Sequence, residues 1–202
     1  MKKSIGLTSL WYSLAFINQL LINNKVEHFC FFGTLLGLTR AGEPIRGDDD
    51  VDIYVNKNHR NRLFHLLKDI GLTGFASAGS DQDNHFFQLQ TKIRAFDCLI
   101  DFYFYDGDAD SNFVIERWNF NGRYRDPQNW LKIPKPLIFP LKLQKFSITD
   151  VYMPKFDEII CEFLYGPDWR RPLKKDIDYF IQIVGGRPIR FRKTNDSVAL
   201  LP

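Results

Sequence analysis

The sequence predicts an α+β fold in which a mixed sheet is flanked by helices. Residues 31–55 run from an apolar segment through a Gly-Thr turn and a short helical segment into an acidic strand with alternating apolar positions. Residues 94–105 are rich in aromatic and apolar side chains, as expected of a buried strand. Residues 7–21 and 157–165 carry apolar side chains at helical spacing.

Length and composition indicate one globular domain. The 202 residues are enough for a substantial core, and the 19 phenylalanines suggest either an aromatic core or an apolar docking surface. The net charge of +3 is too small to argue for nucleic-acid binding. We therefore expect a single domain over residues 1–202, with a flexible basic tail from about residue 185 and no nucleic-acid partner.

The cysteines and histidines do not form a metal-binding pattern. Cys30, Cys98 and Cys161 lie far apart, are odd in number and form no CxxC pair. Buried reduced thiols in a cytosolic protein are the expectation. The four histidines have no paired spacing, which disfavours zinc.

The N-terminal segment has the pattern of a packing helix, with Thr8 or Ser9 available as its cap. Its apolar positions are Leu7, Leu10, Leu14, Ile17 and Leu21. Polar residues interrupt the segment, so we expect neither a signal peptide nor a membrane span, and predict a cytoplasmic protein. Peripheral contact with a membrane surface is the lesser alternative, because only Lys2 and Lys3 supply positive charge there.

The remaining elements follow from periodicity and from Gly and Pro punctuation. The other predicted helices are 34–39, 57–67 (ended by Gly71), 157–165 and 174–184. The other predicted strands are 26–32, 72–75 and 85–89, with a hairpin over 141–153 in which Lys142 and Lys145 either face an anionic ligand or are solvated.

An acidic cluster precedes the strand that ends at residue 55. Asp48, Asp49, Asp50 and Asp52 repel one another unless a cation holds them together. In an extended segment Asp50 and Asp52 project to the same face and offer the hard oxygen ligands that suit Mg²⁺, Mn²⁺ or Ca²⁺. A solvated turn is the commoner explanation of such a cluster, but the adjoining strand pattern and Gly-Thr turn favour a metal site.

An EF-hand loop does not fit this cluster. Its sixth position requires Gly, where this chain has Ile53, and its twelfth requires Glu, where this chain has His59.

The Gly33-Thr34 turn stands at a predicted helix start. Backbone amides there could cradle a phosphate, with the Thr34 hydroxyl as a further donor, although a plain tight turn has the same pattern. Arg40 and Arg46 either bind the phosphate of a ligand or balance the negative charge of the aspartates. Charge balance is the simpler interpretation for Arg46.

The strand at 94–105 contains two carboxylates, Asp97 and Asp101, on one face. A carboxylate in so apolar a strand is costly unless it is paired or bound to a metal. A salt-bridged edge-strand aspartate is the structural alternative.

Two blocks of the sequence resemble a known family. Gly33-Thr34 followed, after a helix, by Asp50-Val51-Asp52 resembles the nucleotidyltransferase fold shared with DNA polymerase β. GTLLGLTR with DDDVDI resembles the LicD family of phosphocholine transferases, which includes fukutin and fukutin-related protein. Residues 139–172, FPLKLQKFSITDVYMPKFDEIICEFLYGPDWRRP, are similar to that family's C-terminal segment. The chain departs from the family at Arg46-Gly47, where an aromatic residue is common.

The resemblance implies a metal-dependent phosphotransferase. Asp50, Asp52 and Asp101 would bind Mg²⁺, with Mn²⁺ as the alternative ion, and Asp101 is a better match than Asp97 for the third carboxylate and for taking the acceptor's proton. Residues expected at the donor are Gly33, Thr34, Arg40 and Asp48.

The substrates are also implied by the resemblance alone. The donor would be a CDP-activated alcohol such as CDP-choline or CDP-ribitol, with CMP as leaving group. The acceptor would be a sugar hydroxyl of a capsular polysaccharide or lipopolysaccharide, modified in the cytoplasm or at the inner face of the membrane. Aromatic and arginine residues over 117–130 could hold a choline ammonium, stack on a base, or simply be core and surface residues.

Two other functions compete with this one. A GT-A glycosyltransferase also uses an Asp-x-Asp motif to hold a metal and a nucleotide-sugar, but usually without a preceding Gly-Thr helix or a third strand aspartate. A nucleotidyltransferase-fold protein that only binds a partner is the second alternative, although a binding module has no reason to converge three carboxylates.

Overall fold

A computed structural model describes residues 6–71, 85–93, 96–107, 111–117, 130–172, 181–184, 187–194 and 197–200. The predicted strand at 72–75 and most of the aromatic and arginine stretch at 117–130 lie outside the described residues.

Within these residues the helices and strands alternate irregularly along the chain. The α-helices are α1 (Leu7–Asn23), α2 (Phe32–Ala41), α3 (Arg60–Asp69), α4 (Lys135–Ile138) and α5 (Asp157–Tyr165). The strands are β1 (His28–Cys30), β2 (Asp50–Asn56), β3 (Phe86–Ile93), β4 (Phe96–Asp106), β5 (Phe113–Glu116), β6 (Leu131–Pro134), β7 (Lys142–Lys145), β8 (Asp150–Met153), β9 (Ile181–Val184), β10 (Arg187–Thr194) and β11 (Ser197–Leu200).

The main sheet is mixed, and its centre is a parallel pair. Six strands pair in the order β1-β2-β4-β5-β6, with β3 also pairing to β4. β2 and β4 run parallel over seven residue pairs, whereas β1, β3 and β5 each run antiparallel to their neighbour. The prediction of an α+β fold with a mixed sheet is confirmed.

The first helix packs as its apolar spacing predicts. Leu10, Leu14, Ile17 and Leu21 are fully buried. The predicted cap is wrong, because α1 begins at Leu7 with Gly6 as its N-cap residue, and no side chain caps it. Thr8 and Ser9 therefore lie inside the first turn.

The strand-to-helix junction before the site lies two residues earlier than predicted. β1 ends at Cys30 and α2 already begins at Phe32. Phe32 has a φ of 41°, in the left-handed region that costs a non-glycine residue about 1–2 kcal/mol. Its ring packs against Phe31 and Tyr103, with centroids 5.1 and 5.0 Å away, and this packing fixes the turn.

The core is strongly aromatic, as the phenylalanine content suggested. Its largest fully buried aromatic side chains are Phe29, Phe31, Tyr54, Phe102, Tyr103, Phe104 and Tyr105. Phe31 stacks on Tyr54 with a centroid distance of 4.0 Å. Most of these rings belong to β1, β2 and β4 and pack on the faces of the sheet, so the strands that carry the acidic residues are held rigidly.

The C-terminal part agrees with the sequence up to residue 172. The predicted hairpin corresponds to β7 and β8, and α5 has the predicted bounds, with Ile160 and Leu164 buried. The helix predicted at 174–184 is wrong for its last four residues, which form β9, and the rest lies outside the described residues.

Strands β10 and β11 lie in the segment from about residue 185 that was predicted to be a flexible basic tail. β10 pairs with both β9 and β11 in a small antiparallel sheet.

In the part of the chain that the structure describes, no helix is long and apolar enough to cross a membrane.

Candidate active site and metal centre

Three carboxylates meet at the parallel strand pair of the main sheet. Asp52 of β2 and Asp101 of β4 are register partners, and Asp50 precedes Asp52 on the same face. Asp50, Asp52 and Asp101 each offer one oxygen atom, and these atoms lie within 4.8 Å of one another. Asp52 and Asp101 are only 6% exposed.

A second acidic group adjoins the first and shares one member with it. Asp48, Asp49 and Asp50 also bring one oxygen each to within 4.8 Å of one another. Asp48 is buried, while Asp49 and Asp50 are half-buried. Asp50 therefore belongs to both groups.

The start of α2 holds Asp52 in place. The backbone amides of Gly33 and Thr34 donate to Asp52 Oδ2 over 2.9 and 3.4 Å, and the Asp52 amide donates to the Thr34 hydroxyl over 2.8 Å. These amides were predicted to cradle a phosphate, but in this structure they bind the carboxylate. A helix N-terminus suits a carboxylate as well as a phosphate, because both are anions.

Gly33 allows a close approach between α2 and the acidic segment. A Cβ atom at this position would lie 2.9 Å from Asp48 Oδ2 and 3.2 Å from Asp52 Oδ2. Any side chain at residue 33 would therefore displace these carboxylates. This packing requirement explains the glycine without a left-handed backbone angle.

Gln88 is a site residue that the sequence analysis missed. It lies opposite Asp101 in the antiparallel register of β3 and β4, and its Nε2 donates to Asp101 Oδ1 over 2.8 Å. The local signal is a polar residue between the apolar Phe87 and Leu89 of a strand. Only the pairing of β3 with β4 shows that this residue faces the carboxylates.

Burial and neighbouring negative charges both raise the pKa values of the site's carboxyl groups. Burial raises the pKa of Asp52, and the charges of Asp50, Asp101 and Asp48 raise it further, against the effect of the Thr34 amide. Burial raises the pKa of Asp101 to about 7, although the hydrogen bond from Gln88 opposes the shift. A bound cation would relieve both effects.

The carboxylate set fits a hard divalent cation. Three converging carboxylate oxygens, two of them from buried side chains, are the donors that Mg²⁺ and Mn²⁺ prefer. The hydrogen bonds that Asp52 makes with the Gly33 amide and the Thr34 hydroxyl fix the orientation of this ligand. The hydrogen bond from the Gln88 side-chain amide fixes the orientation of Asp101.

Asp97 lies on β4 before the residues that pair with β2. It is four residues before Asp101, or about 13 Å along a strand, and the pairing of β4 with β2 begins only at Leu99. Its side chain is outside the described part of the structure.

Two of the predicted cationic residues pair with carboxylates outside the acidic cluster. Arg40 is in the last turn of α2, about 10 Å along the helix from Gly33. Arg46 pairs with Glu43 over 3.2 Å and its side chain is 77% exposed, so its charge balances Glu43. Lys142 pairs with Asp157 over 2.8 Å.

A strand-turn-helix unit packed against acidic residues on a parallel strand pair defines the nucleotidyltransferase fold. The lincosamide antibiotic adenylyltransferase LnuA has a similar structure, with a TM-score of 0.50 and 14% sequence identity over 76% of this chain and 82% of LnuA. The antibiotic-resistance factor ANT(2'')-Ia is also similar, with a TM-score of 0.49 and 14% identity over 81% of this chain and 74% of its own.

The family follows from the sequence match. The model of the LicD/FKTN/FKRP nucleotidyltransferase domain matches residues 25–155, and the chain belongs to this family. No curated protein matches the sequence. Membership of this family supports a phosphotransferase or nucleotidyltransferase-like function.

Proposed function

We propose that this protein is a metal-dependent transferase that moves a phospho-alcohol, such as phosphocholine or ribitol phosphate, from a CDP-activated donor to a sugar hydroxyl of a surface polysaccharide or lipopolysaccharide. Membership of the LicD family supports the donor and acceptor classes. The acceptor would be a nascent glycan, modified in the cytoplasm or at the inner face of the membrane.

One observation carries the proposal. Asp50, Asp52 and Asp101 converge at one point of the sheet although two of them are buried. Such an arrangement is electrostatically unfavourable in a protein that does not bind a cation, and fold stability alone gives no reason for it. This also argues against a role limited to binding a partner.

The cation would be Mg²⁺, or Mn²⁺ in its place, held by Asp50, Asp52 and Asp101. When bound, it would neutralise the donor's phosphates and stabilise the charge that develops on the transferred phosphoryl group. The remaining steps depend on the residues of the chain.

Asp101 is the proposed proton acceptor. Without a cation, burial raises its pKa to about 7, and the bound cation would lower this pKa, so Asp101 would be an ionised carboxylate able to accept a proton. The acceptor hydroxyl gives its proton to a carboxylate oxygen of Asp101, and the acceptor oxygen forms a bond to the phosphorus next to the alcohol. The bond from this phosphorus to the bridging oxygen breaks, and CMP leaves with the electron pair.

The proposed donor-binding residues lie at different distances from the three carboxylates. Gly33, Thr34 and Asp48 adjoin the carboxylates, and the positive end of α2 would favour the donor's phosphates nearby. Arg40, at the other end of α2, would reach a more distant part of the donor.

The experiment is to measure CMP release from a panel of CDP-alcohols with Mg²⁺, with and without EDTA. Wild type is compared with Asp50→Asn and Asp101→Asn, and with Asp69→Asn as a matched control on the exposed end of α3. We expect release from one donor, dependent on Mg²⁺, abolished by the two site variants and retained by the control.

Other outcomes reject the proposal in different ways. Release that survives EDTA and both site substitutions would contradict the metal centre. No release from any CDP-alcohol, even with candidate glycan acceptors present, combined with turnover of a nucleotide-sugar, would assign a glycosyltransferase activity. Unchanged biological activity of Asp50→Asn would assign a non-catalytic role.

A further inference from the structure

We infer that Gln88 is a positioning residue that holds the third carboxylate of the site in the orientation needed for cation binding. The inference rests on the proposed metal centre. Gln88 Nε2 donates to Asp101 Oδ1 over 2.8 Å, and the two residues are direct partners in the register of β3 and β4.

The backbone on either side of Gln88 is firmly anchored. Phe87 packs against Phe64 and Phe102, with centroid distances of 4.8 and 6.1 Å, and Leu89 is fully buried. Side chains alternate along a strand, so these neighbours fix the face to which Gln88 points. Gln88 is half-buried at the edge of the site.

The orientation of Asp101 depends on the hydrogen bond from Gln88, whereas the orientation of Asp52 is shared among several hydrogen bonds. Asp52 is held by two backbone amides of α2 and through its own amide by Thr34. A backbone amide cannot be removed by a side-chain substitution. The contact to Asp101 is a side-chain donor on another strand, so one substitution removes it.

The amide of glutamine has the right chemistry for this role. It donates to one carboxylate oxygen and leaves lone pairs on the other for a cation or a hydroxyl group. It is neutral, so it does not cancel the negative charge that attracts the cation. Without it, repulsion from the neighbouring aspartates would turn the Asp101 carboxylate away.

The test measures Mn²⁺ affinity directly, by the loss of the free-ion electron paramagnetic resonance signal on titration. The variants are Gln88→Met, which keeps the side-chain length and removes the donor, and Asp101→Asn. Gln144→Met is the matched control, because Gln144 is also a half-buried strand glutamine but lies on β7. Thermal unfolding of every variant in EDTA verifies that the fold is retained.

We expect Gln88→Met to bind Mn²⁺ about 10- to 100-fold more weakly than wild type, as is typical when a partner of a metal ligand is lost. Gln144→Met should bind like wild type. If Gln88 acts through Asp101, the double variant Gln88→Met/Asp101→Asn should bind no more weakly than Asp101→Asn alone.

Several results would overturn the inference. Mn²⁺ affinity of Gln88→Met within twofold of wild type would show that the contact does not position Asp101. A full additional loss in the double variant would show that Gln88 acts independently of Asp101. If wild type itself fails to bind Mn²⁺, the metal centre of the proposed function fails as well, so the two failures are distinguishable.

Discussion

Asp52 and Asp101 lie directly opposite each other on the parallel strands β2 and β4, and both are buried. The charge of Asp101 adds to burial in raising the pKa of Asp52. Two adjacent buried carboxylates oppose folding when no cation compensates them, so this part of the sheet lowers the stability of the metal-free protein.

Removing one of these charges should therefore stabilise the metal-free protein. Asp101→Asn keeps an oxygen that can accept the hydrogen bond from Gln88. The substitution removes a carboxyl group whose pKa is raised to about 7. We expect the free energy of unfolding at pH 8 in EDTA to rise by about 1–3 kcal/mol. Urea unfolding measures it.

The control for this comparison is Asp69→Asn, an exposed aspartate that should leave stability within about 0.5 kcal/mol of wild type. Adding Mg²⁺ should stabilise wild type more than Asp101→Asn, since only wild type keeps the complete carboxylate set. A metal-free Asp101→Asn protein less stable than wild type would contradict the electrostatic argument.

The glycine at the start of α2 supplies a second prediction. In Gly33→Ala the new Cβ would meet Asp48 Oδ2 at 2.9 Å and Asp52 Oδ2 at 3.2 Å, so both carboxylates must shift. We expect Mn²⁺ affinity to fall about tenfold or more, because ligand geometry is disturbed. Gly6→Ala, where nothing lies within 4 Å of the added Cβ, is the control. Equal Mn²⁺ affinity of the two variants would refute the prediction.

Another glycine of α2 tests packing apart from ligand geometry. A Cβ at Gly37 would lie 2.7 Å from the Glu43 carbonyl oxygen and 2.8 Å from the Ile45 amide nitrogen. These are backbone atoms of the loop that leads to the acidic cluster, so they cannot rotate away. We expect Gly37→Ala to lose about 1–3 kcal/mol in urea unfolding. A free energy of unfolding equal to that of wild type would mean that this loop can move to accommodate the added methyl group without loss of stability.

The sequence predicts best those features that depend on local patterns. The bounds of α5 follow from its apolar spacing between Pro154 and Gly166, and they agree with the structure. The acidic segment is recognisable because aspartates stand directly before an alternating strand. Periodicities of 3.6 and 2 residues are sufficient for such elements.

Features that depend on distant pairing were not predictable in this way. Gln88 meets Asp101 because β3 pairs with β4 in one register, and nothing local to residue 88 specifies that register. The Gly33 amide binds Asp52, 19 residues away, rather than an external phosphate. Residues 181–184 form a strand because of pairing with β10, although their local pattern allowed a helix.

A buried histidine joins three elements outside the site. His28 of β1 has its Nδ1 2.7 Å from the Val26 carbonyl oxygen and its Nε2 2.9 Å from the Asn18 side-chain oxygen of α1. Its ring packs edge-on against Tyr152 of β8, with centroids 5.5 Å apart. Burial lowers the pKa of His28 to about 4, although the Val26 carbonyl opposes the shift.

This histidine predicts a loss of stability in mild acid. Above pH 6.5 the ring is neutral in both the folded and the unfolded chain. As the pH falls from 6.5 towards 4 the unfolded chain takes up the proton first, so the His28 contribution to the free energy of unfolding decreases, by about 3 kcal/mol across the window, and becomes constant below it.

Carboxylates titrate in the same window, so the informative quantity is the difference between wild type and His28→Gln. Urea unfolding at pH 7.5, 6, 5 and 4 should show wild type losing its advantage over the variant as the pH falls. His65→Gln, on the exposed face of α3, should follow wild type at every pH. A difference between wild type and His28→Gln that does not change with pH would mean that His28 keeps an ordinary pKa despite its burial.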